Sequence, residues 1–350
     1  MSPTKRVTII IVTHNGRHYL PECLASVFDQ HYLQSLLKII VIDNDSSDST
    51  VSYLRQWPQV KVVVNRKNLG FAVANNQGYY LAKKQEADYL FLLNQDTVLE
   101  KNCLQRLVTL AEKNHKIAAV QPKILLHPEK HLINSLGNCI NFLGFAYCDK
   151  YRAKDSQPLV DPFEVTYASG AACLLRMSAL EQTDLFDPRL FMYHDDVDLG
   201  WRLRLAGYRI MVDPLAVVYH KYTFGKGKYK FYYLERNRLL VLLQNYRLLT
   251  LVIFLPPLVL MEAGMLLFAL KNGWLKEKIK GYFWLLSHWP SILSQRLRVH
   301  FQIRKVSDRE VLRFFSGAIK SEELKNPLLV YLVNPLLSLY FWLAKKIIFW

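Results

Sequence analysis

Four apolar runs come early in the chain, Val7–Thr13, Leu37–Asp43, Val60–Asn65 and Asp88–Leu93, and each gives way to polar side chains. Runs that are apolar along their length fit strands buried on both faces. Between them, Tyr19–Phe28 and Gly70–Lys84 carry helical spacing. A helix from Leu99 to Lys113 and a strand at Ala118–Gln121 follow. Strict alternation of this kind predicts an α/β domain with a largely parallel sheet. Such sheets bind ligands beyond the carboxyl ends of their strands. The tips to watch are therefore Thr13-His14-Asn15, Asp43-Asn44-Asp45, Asn65 to Asn68, and Asn94-Gln95-Asp96.

Some chemistries drop out at once. No Gly-x-Gly-x-x-Gly follows a strand and no Gly-Lys-Ser/Thr loop exists, which argues against dinucleotide binding and P-loop chemistry. Asp43, at the end of a buried strand, suits a ribose hydroxyl or a base N–H; it equally suits capping the turn Ser46 to Thr50. Asn94 and Asp96 are two residues apart, so an extended backbone projects both to one side. Two oxygen-bearing side chains can grip a hard divalent cation, partly through water. The alternative is a loop and helix cap.

The stretch Ala168–Gly207 holds the densest chemistry. Asp195, Asp196 and Asp198 follow Phe191-Met192-Tyr193-His194, and a periodic segment with Val197, Trp201, Leu203 and Leu205 ends at Gly207. The three carboxylates therefore sit in the first turn of a helix. Acidic residues complement a helix N-terminus, but three within four residues repel one another. That points to a group that holds a proton, a cation or a hydroxyl. Upstream, Lys123 to Pro162 is irregular. Val165–Arg176 reads as a strand interrupted at Ser169-Gly170-Ala171-Ala172, where backbone approaches something closely. Downstream come short strands at Tyr208–Val212 and Ala216–Tyr219, then His220. The basic loop Gly225-Lys226-Gly227-Lys228 could close over a phosphate.

The net charge of +16 is uneven. Residues 1–220 hold 24 Lys/Arg against 22 Asp/Glu, whereas residues 221–350 hold 21 against 7. The same third carries the long apolar stretches Leu248–Leu270 and Leu328–Leu343. Basic, apolar and aromatic residues together point to an anionic membrane surface and not to nucleic acid. Two bilayer crossings would leave residues 271–327, with 12 Lys/Arg and 5 Asp/Glu, on the far side, against the positive-inside rule. Interfacial or re-entrant helices on the cytoplasmic face are the expectation, although either stretch is marginally long enough to span. A packed helical subdomain or a homo-oligomer interface are the alternatives. The five cysteines are scattered, with no Cys-x-x-Cys pair, as in a protein with reduced thiols.

Assembled in order, VTIIIVTHN, IIVIDNDSSDST, NLGFAVANNQG, YLFLLNQDT, SGAACLLR, LFMYHDDVDLGWRLRLAGYRI and VVYH resemble a family 2 glycosyltransferase of the GT-A fold, closest to its rhamnosyltransferase-like branch. The resemblance covers residues 7 to about 220. It implies a Rossmann-like mixed sheet flanked by helices over residues 1–225. The nucleotide-sugar half would run to about residue 121 and the acceptor half from about 122, with a helical, membrane-associating region over 226–350.

By the same resemblance Thr13 and Asp43 contact base and ribose, with Asn15 at the same tip. Asn68, Gly70 and Asn76 border the nucleotide. Asn94-Gln95-Asp96 takes the place of Asp-x-Asp, which binds the diphosphate and a divalent cation, Mg²⁺ or Mn²⁺. His220 matches a histidine that completes the metal shell. Asp195-Asp196 stands where the family has Glu-Asp, whose second member is the catalytic base. Ser169, Gly170, Asp198, Trp201 and Arg202 fall on the acceptor side. The implied activity is inverting transfer from a nucleoside-diphosphate sugar, rhamnose or another hexose, to a polyprenyl-diphosphate-linked or saccharide acceptor in cell-surface polysaccharide synthesis. A membrane-bound scaffold with a decayed transferase domain is the alternative. The short chain and the missing Gln-x-x-Arg-Trp motif argue against a processive synthase.

Overall fold

The computed structural model describes residues 4–148, 150–156, 159–222, 227–320 and 327–350. Gly225 and Lys226 of the expected basic loop lie outside the described residues. Strand β1 (Val7–Thr13) pairs in parallel with β2 (Leu37–Asn44) and β4 (Tyr89–Asn94), and β2 pairs in parallel with β3 (Val60–Asn65). Helices α1 (Leu20–Phe28), α2 (Thr50–Leu54) and α3 (Gly70–Lys84) make the crossovers. The registers set Thr13 opposite Asp43, Val12 opposite Asn94 and Asp43 opposite Val64, so the polar tips share one edge. Ile9, Ile11, Val41 and Phe91 bury one sheet face, and Ile10, Ile40, Ile42 and Leu92 the other. Continuous apolar runs are what two covered faces require.

Beyond β4 the sheet becomes mixed. Strand β5 is Thr97–Leu99, and α4 spans Cys103–Glu112. The helix expected from Leu99 thus starts later, because β5 pairs with the last strand. β6 (Ile117–Leu126) carries the short antiparallel β7 (Ile133–Ser135). β8 (Asn138–Ile140) and β9 (Ala146–Cys148) form a separate hairpin. β10 (Phe163–Glu164) edges the sheet. β11 (Ala172–Arg176) runs antiparallel between β4 and β6. The segment before it is a turn, not the expected longer strand. Helix α5 (Met177–Thr183) leads to the acidic helix α6 (Asp195–Leu205). β12 (Arg209–His220) is one continuous strand with an irregularity between Asp213 and Val217, where two short strands were expected.

The last third folds onto the acceptor half. α7 (Tyr229–Asn245) lies beside α6 and is followed by α8 (Leu248–Lys271), α9 (Leu275–Ser287), α10 (Trp289–Arg298), the short α11 (Asp308–Val311) and α12 (Asn334–Ile347). One apolar cluster joins Phe142, Tyr167 and Trp201 to Phe254, Phe315 and Phe341. Packing therefore continues across position 225.

α8 is long and apolar enough to cross a membrane by length and composition, and it continues through Pro256 and Pro257. At its middle, however, Glu262 meets Arg238 of α7 and, at 2.8 Å, Lys278 of α9, and it accepts the Tyr282 hydroxyl at 2.5 Å. Glu235 of α7 completes the cluster, 2.6 Å from Lys278. Removing one member of such a buried group strands the others. Glu262→Ala is expected to destabilise the fold by about 3 kcal/mol, read as a fall in chemical-denaturation midpoint. An unchanged midpoint would show that the cluster contributes nothing.

Candidate active site

The acidic helix opens on a cleft of about 590 Å³ lined by Asp195, Asp196, Ser169, Gly170, Asn94, His220 and, farther along, Met265, Phe268 and Trp274. Asp196 is held by two backbone donors. Gly170 N–H reaches Oδ2 at 3.2 Å and Val197 N–H reaches Oδ1 at 2.9 Å. Burial pushes its carboxyl up to about 6, and the two N–H groups pull the other way. Asp195 is held well above the carboxylate range by burial and then by the neighbouring Asp196 charge. No hydrogen bond from another described residue reaches its carboxylate. Burial and the Asp196 charge thus disfavour ionisation of Asp195, while Asp196 is the member held by N–H donors of two other residues.

The segment ahead of this pair is strained. Phe191, Tyr193 and His194 have φ of 63°, 65° and 63°, each costing on the order of 1 kcal/mol for a side chain of this size. α7 satisfies its carbonyls. Asn237 Nδ2 lies 2.9 Å from Leu190 O, 2.9 Å from Met192 O and 2.8 Å from Tyr193 O. Arg236 Nη2 donates to Arg189 O and Leu190 O. On the other side, Phe191 O accepts Phe71 N–H at 2.6 Å. Gly70, at φ 80°, is required there because a Cβ would lie 2.5 Å from the Phe191 ring. Burial lowers His194 to about 4, so it is neutral beside Gly144 O.

The opposite wall brings an imidazole against a carboxylate. β5 pairs with β12 so that His220 faces Thr97, which brings His220 Nε2 to 3.2 Å from Asp96 Oδ1. His220 is 4% exposed. Its Nδ1 lies 2.9 Å from Asn134 Oδ1. An imidazole so oriented by a second partner, beside a carboxylate, has the donor types that hold a divalent cation. No cluster of three or more His, Cys, Asp or Glu side chains occurs among the described residues, so a ligand's own oxygens would complete the shell. Asn94 lines the same cleft. Gln95 is turned away, with its Oε1 accepting Thr13 Oγ1–H at 2.5 Å and His14 N–H at 3.2 Å.

At the strand tips Asp43 is wholly buried. Its Oδ2 accepts Ser46 N–H at 3.1 Å, so it does cap the turn, yet Oδ1 has no partner. An orphan carboxylate oxygen at this edge fits an N–H or O–H of a ligand. Asn15 Oδ1 accepts Ser47 N–H at 2.8 Å and shapes the same loop. Asn68 Oδ1 accepts Asn44 Nδ2–H and Gly70 N–H, each at 2.9 Å, and so fixes the start of α3.

Asn76 exchanges one bond from each end of its amide with the Phe186 backbone, at 2.8 and 3.0 Å, which orients it and leaves one N–H and one lone pair. Three expected contacts are corrected. Trp201 is 0% exposed and packs edge-on against Tyr246 and Phe315. Asp198 and Arg202 form a buried ion pair at 2.8 Å. Asn245 takes the other Asp198 oxygen, and the carbonyls of Thr183, Asp184 and Leu185 take the remaining Arg202 donors. These residues hold α6 in place and do not face the cleft. Sequence reasoning missed Asn134, Asn237 and Arg236. Their spacing carries no signal, because each acts through a partner at least 40 residues away.

The model of the family described as "Glycosyl transferase family 2" matches residues 8–183. An N-acetylglucosaminyl-diphospho-decaprenol L-rhamnosyltransferase of Mycobacterium tuberculosis is 27% identical over 246 residues, 64% of this chain and 79% of that protein. A poly-beta-1,6-N-acetyl-D-glucosamine synthase of Staphylococcus aureus is 25% identical over 60% of this chain, which spans about half (48%) of that protein. Among solved structures, S. aureus TarS 1-349 aligns over 97% of this chain and 90% of its own, with TM-score 0.50 and 16% identity. GalNAc-T7 with UDP, GalNAc and Mn²⁺ aligns over 68% of this chain and 47% of its own, with TM-score 0.56 and 18% identity. At such identities the likeness is one of fold.

Asn237→Ala strips several buried carbonyls of their donor. Stability is expected to fall by about 1–3 kcal/mol, measured by urea unfolding. A change below about 0.5 kcal/mol, the scatter of surface substitutions, would mean that the loop holds itself.

Proposed function

The chain belongs to glycosyl transferase family 2, and from that premise we propose that it is an inverting glycosyltransferase. It moves rhamnose or another hexose from a nucleoside-diphosphate sugar to a lipid-linked or saccharide acceptor in cell-surface polysaccharide synthesis. The observation that carries the reading is Asp196, a buried carboxylate pushed to about 6 and fixed by two N–H donors in the cleft shared with Asp96 and His220.

In this mechanism Asp196 accepts the proton of the acceptor hydroxyl. The freed oxygen forms a bond to the anomeric carbon from the face opposite the leaving group. The bond from that carbon to the diphosphate oxygen breaks, and its electrons leave with the nucleoside diphosphate. Direct displacement inverts the anomeric centre. Burial and the Asp196 charge disfavour ionisation of the neighbouring Asp195. Asp43 and Thr13 sit where base and ribose would lie. Asp96 and His220 would hold Mg²⁺ or Mn²⁺, whose chemistry is to offset negative charge on the leaving diphosphate.

The acceptor side favours a lipid. Met265, Phe268 and Trp274 belong to α8 and the turn after it, so the cleft runs from Asp196 to the helix with the most exposed apolar surface. Leu249, Val252, Val259 and Leu260 of α8, Phe283 and Leu286 of α9, and Trp342 of α12 are exposed too. Glu262 fastens α8 at its middle to α7 and α9, which supports a helix lying along a membrane and not through it. The excess of Lys and Arg in residues 221–350 suits anionic headgroups on the cytoplasmic face.

The deciding experiment is nucleotide release from a panel of nucleotide sugars with Mg²⁺ or Mn²⁺, with and without a polyprenyl-diphosphate-sugar acceptor. Asp196→Asn is expected to lower turnover by about 10²-fold or more, as for a lost general base. A base must be ionised to accept a proton, so wild-type kcat falls as pH drops through about 6. Full activity in Asp196→Asn removes it as the base. No release with any donor, from folded protein, favours the scaffold alternative. In flotation assays the protein is expected to rise with vesicles containing anionic lipid and to be released by salt; failure to float would end the membrane reading.

A further inference from the structure

Asn138, at the start of β8, stands in the cleft with Asp196 and is 3% exposed. A chain of hydrogen bonds fixes which way its amide points. Ser169 N–H, a backbone donor, reaches Gln121 Oε1 at 2.7 Å. That assigns the other end of Gln121, and its Nε2 donates to Ser135 Oγ at 2.9 Å. Ser135 Oγ in turn lies 2.9 Å from Asn138 Oδ1 and donates to it. Cys148 Sγ–H adds a second donor to the same oxygen, also at 2.9 Å. The Asn138 oxygen is thus saturated. Its Nδ2, with two N–H donors, has no partner among the described residues.

The chain starts one residue from Gly170, whose N–H holds Asp196 Oδ2. Asn138 also bridges Tyr167, and Tyr167 packs against Gly200 of α6, where any Cβ would lie 2.3 Å from the Tyr167 Cβ. The amide is therefore built on the same scaffold as the base. A donor that opens on the cleft can exchange water for a ligand oxygen.

We propose that Asn138 is a specificity residue for the acceptor, donating from Nδ2 to an oxygen of the sugar whose hydroxyl is deprotonated by Asp196. The proposal rests on the transferase reading above. Ser135, through its hydrogen bond to Oδ1, is the positioning residue that keeps Nδ2 toward the cleft. Tyr147 and Tyr151 line the same cavity and offer faces for a sugar ring.

The test is steady-state kinetics with the polyprenyl-diphosphate-sugar acceptor, varying donor and acceptor separately. Asn138→Ala is expected to raise the acceptor KM on the order of tenfold, the effect of one unmade hydrogen bond, with the donor KM within about twofold. Asn138→Asp, the same size but lacking the N–H donors, is expected to do the same. Ser135→Ala is expected to raise the acceptor KM less, because Cys148 still binds Oδ1. An unchanged acceptor KM in both Asn138 variants overturns the proposal, as does a donor KM that rises in step with the acceptor KM. Failure of the wild-type chain to transfer from any donor overturns the transferase reading itself and is seen without any variant.

Discussion

A carboxylate that carries charge inside a protein needs donors that the protein itself supplies. At Asp196 those donors are two backbone N–H groups, from Gly170 before β11 and Val197 in the first turn of α6. Backbone donors cannot rotate away, so this carboxylate is placed by the fold and not by a rotamer. Asp195, one residue earlier, is raised by burial first and then by the Asp196 charge. Two adjacent carboxylates of the same type are thus set apart by burial, mutual repulsion and the donors each one finds. The arrangement needs α6 to begin at one place, and that in turn needs three left-handed residues before it. Asn237 and Arg236 of α7 hold that conformation.

The first half of the fold could be read from the chain because its strands are buried on both faces and so apolar throughout. The first turn of α6 was legible for a similar reason, since caps and dipole partners are local. What failed was anything that depended on a distant partner. The helix expected from Leu99 gave way to β5, since that residue pairs with Val218. Asp198, Trp201 and Arg202 have the chemistry of sugar recognition, yet ion pairing, ring packing and three carbonyls consume it internally. Residue type shows what a side chain can bind, and only the fold shows what it already binds. Asp96 and His220 were assigned to one metal shell by resemblance alone, and their contact follows from β5 and β12 meeting.

The last third shows a related division. Its composition pointed to a membrane surface, and the exposed leucines and aromatics of α8, α9 and α12 agree with that. Composition could not show that α7 reaches into the catalytic loop, or that Phe341 and Trp201 share one cluster. Glu262 reads as an interruption of an apolar stretch. In the fold it is the point where that stretch is fastened to the helix beneath.

The chain of donors from Ser169 to Asn138 has a consequence beyond contact. In ice each oxygen admits several arrangements of its hydrogens, and the crystal keeps entropy from that choice. Here a backbone N–H, which cannot be reversed, sets the first link and with it the sense of the Gln121 amide. The hydroxyl of Ser135 and the thiol of Cys148 can still turn their hydrogens. Order in the row is therefore fixed at its backbone end and loosens toward the cleft.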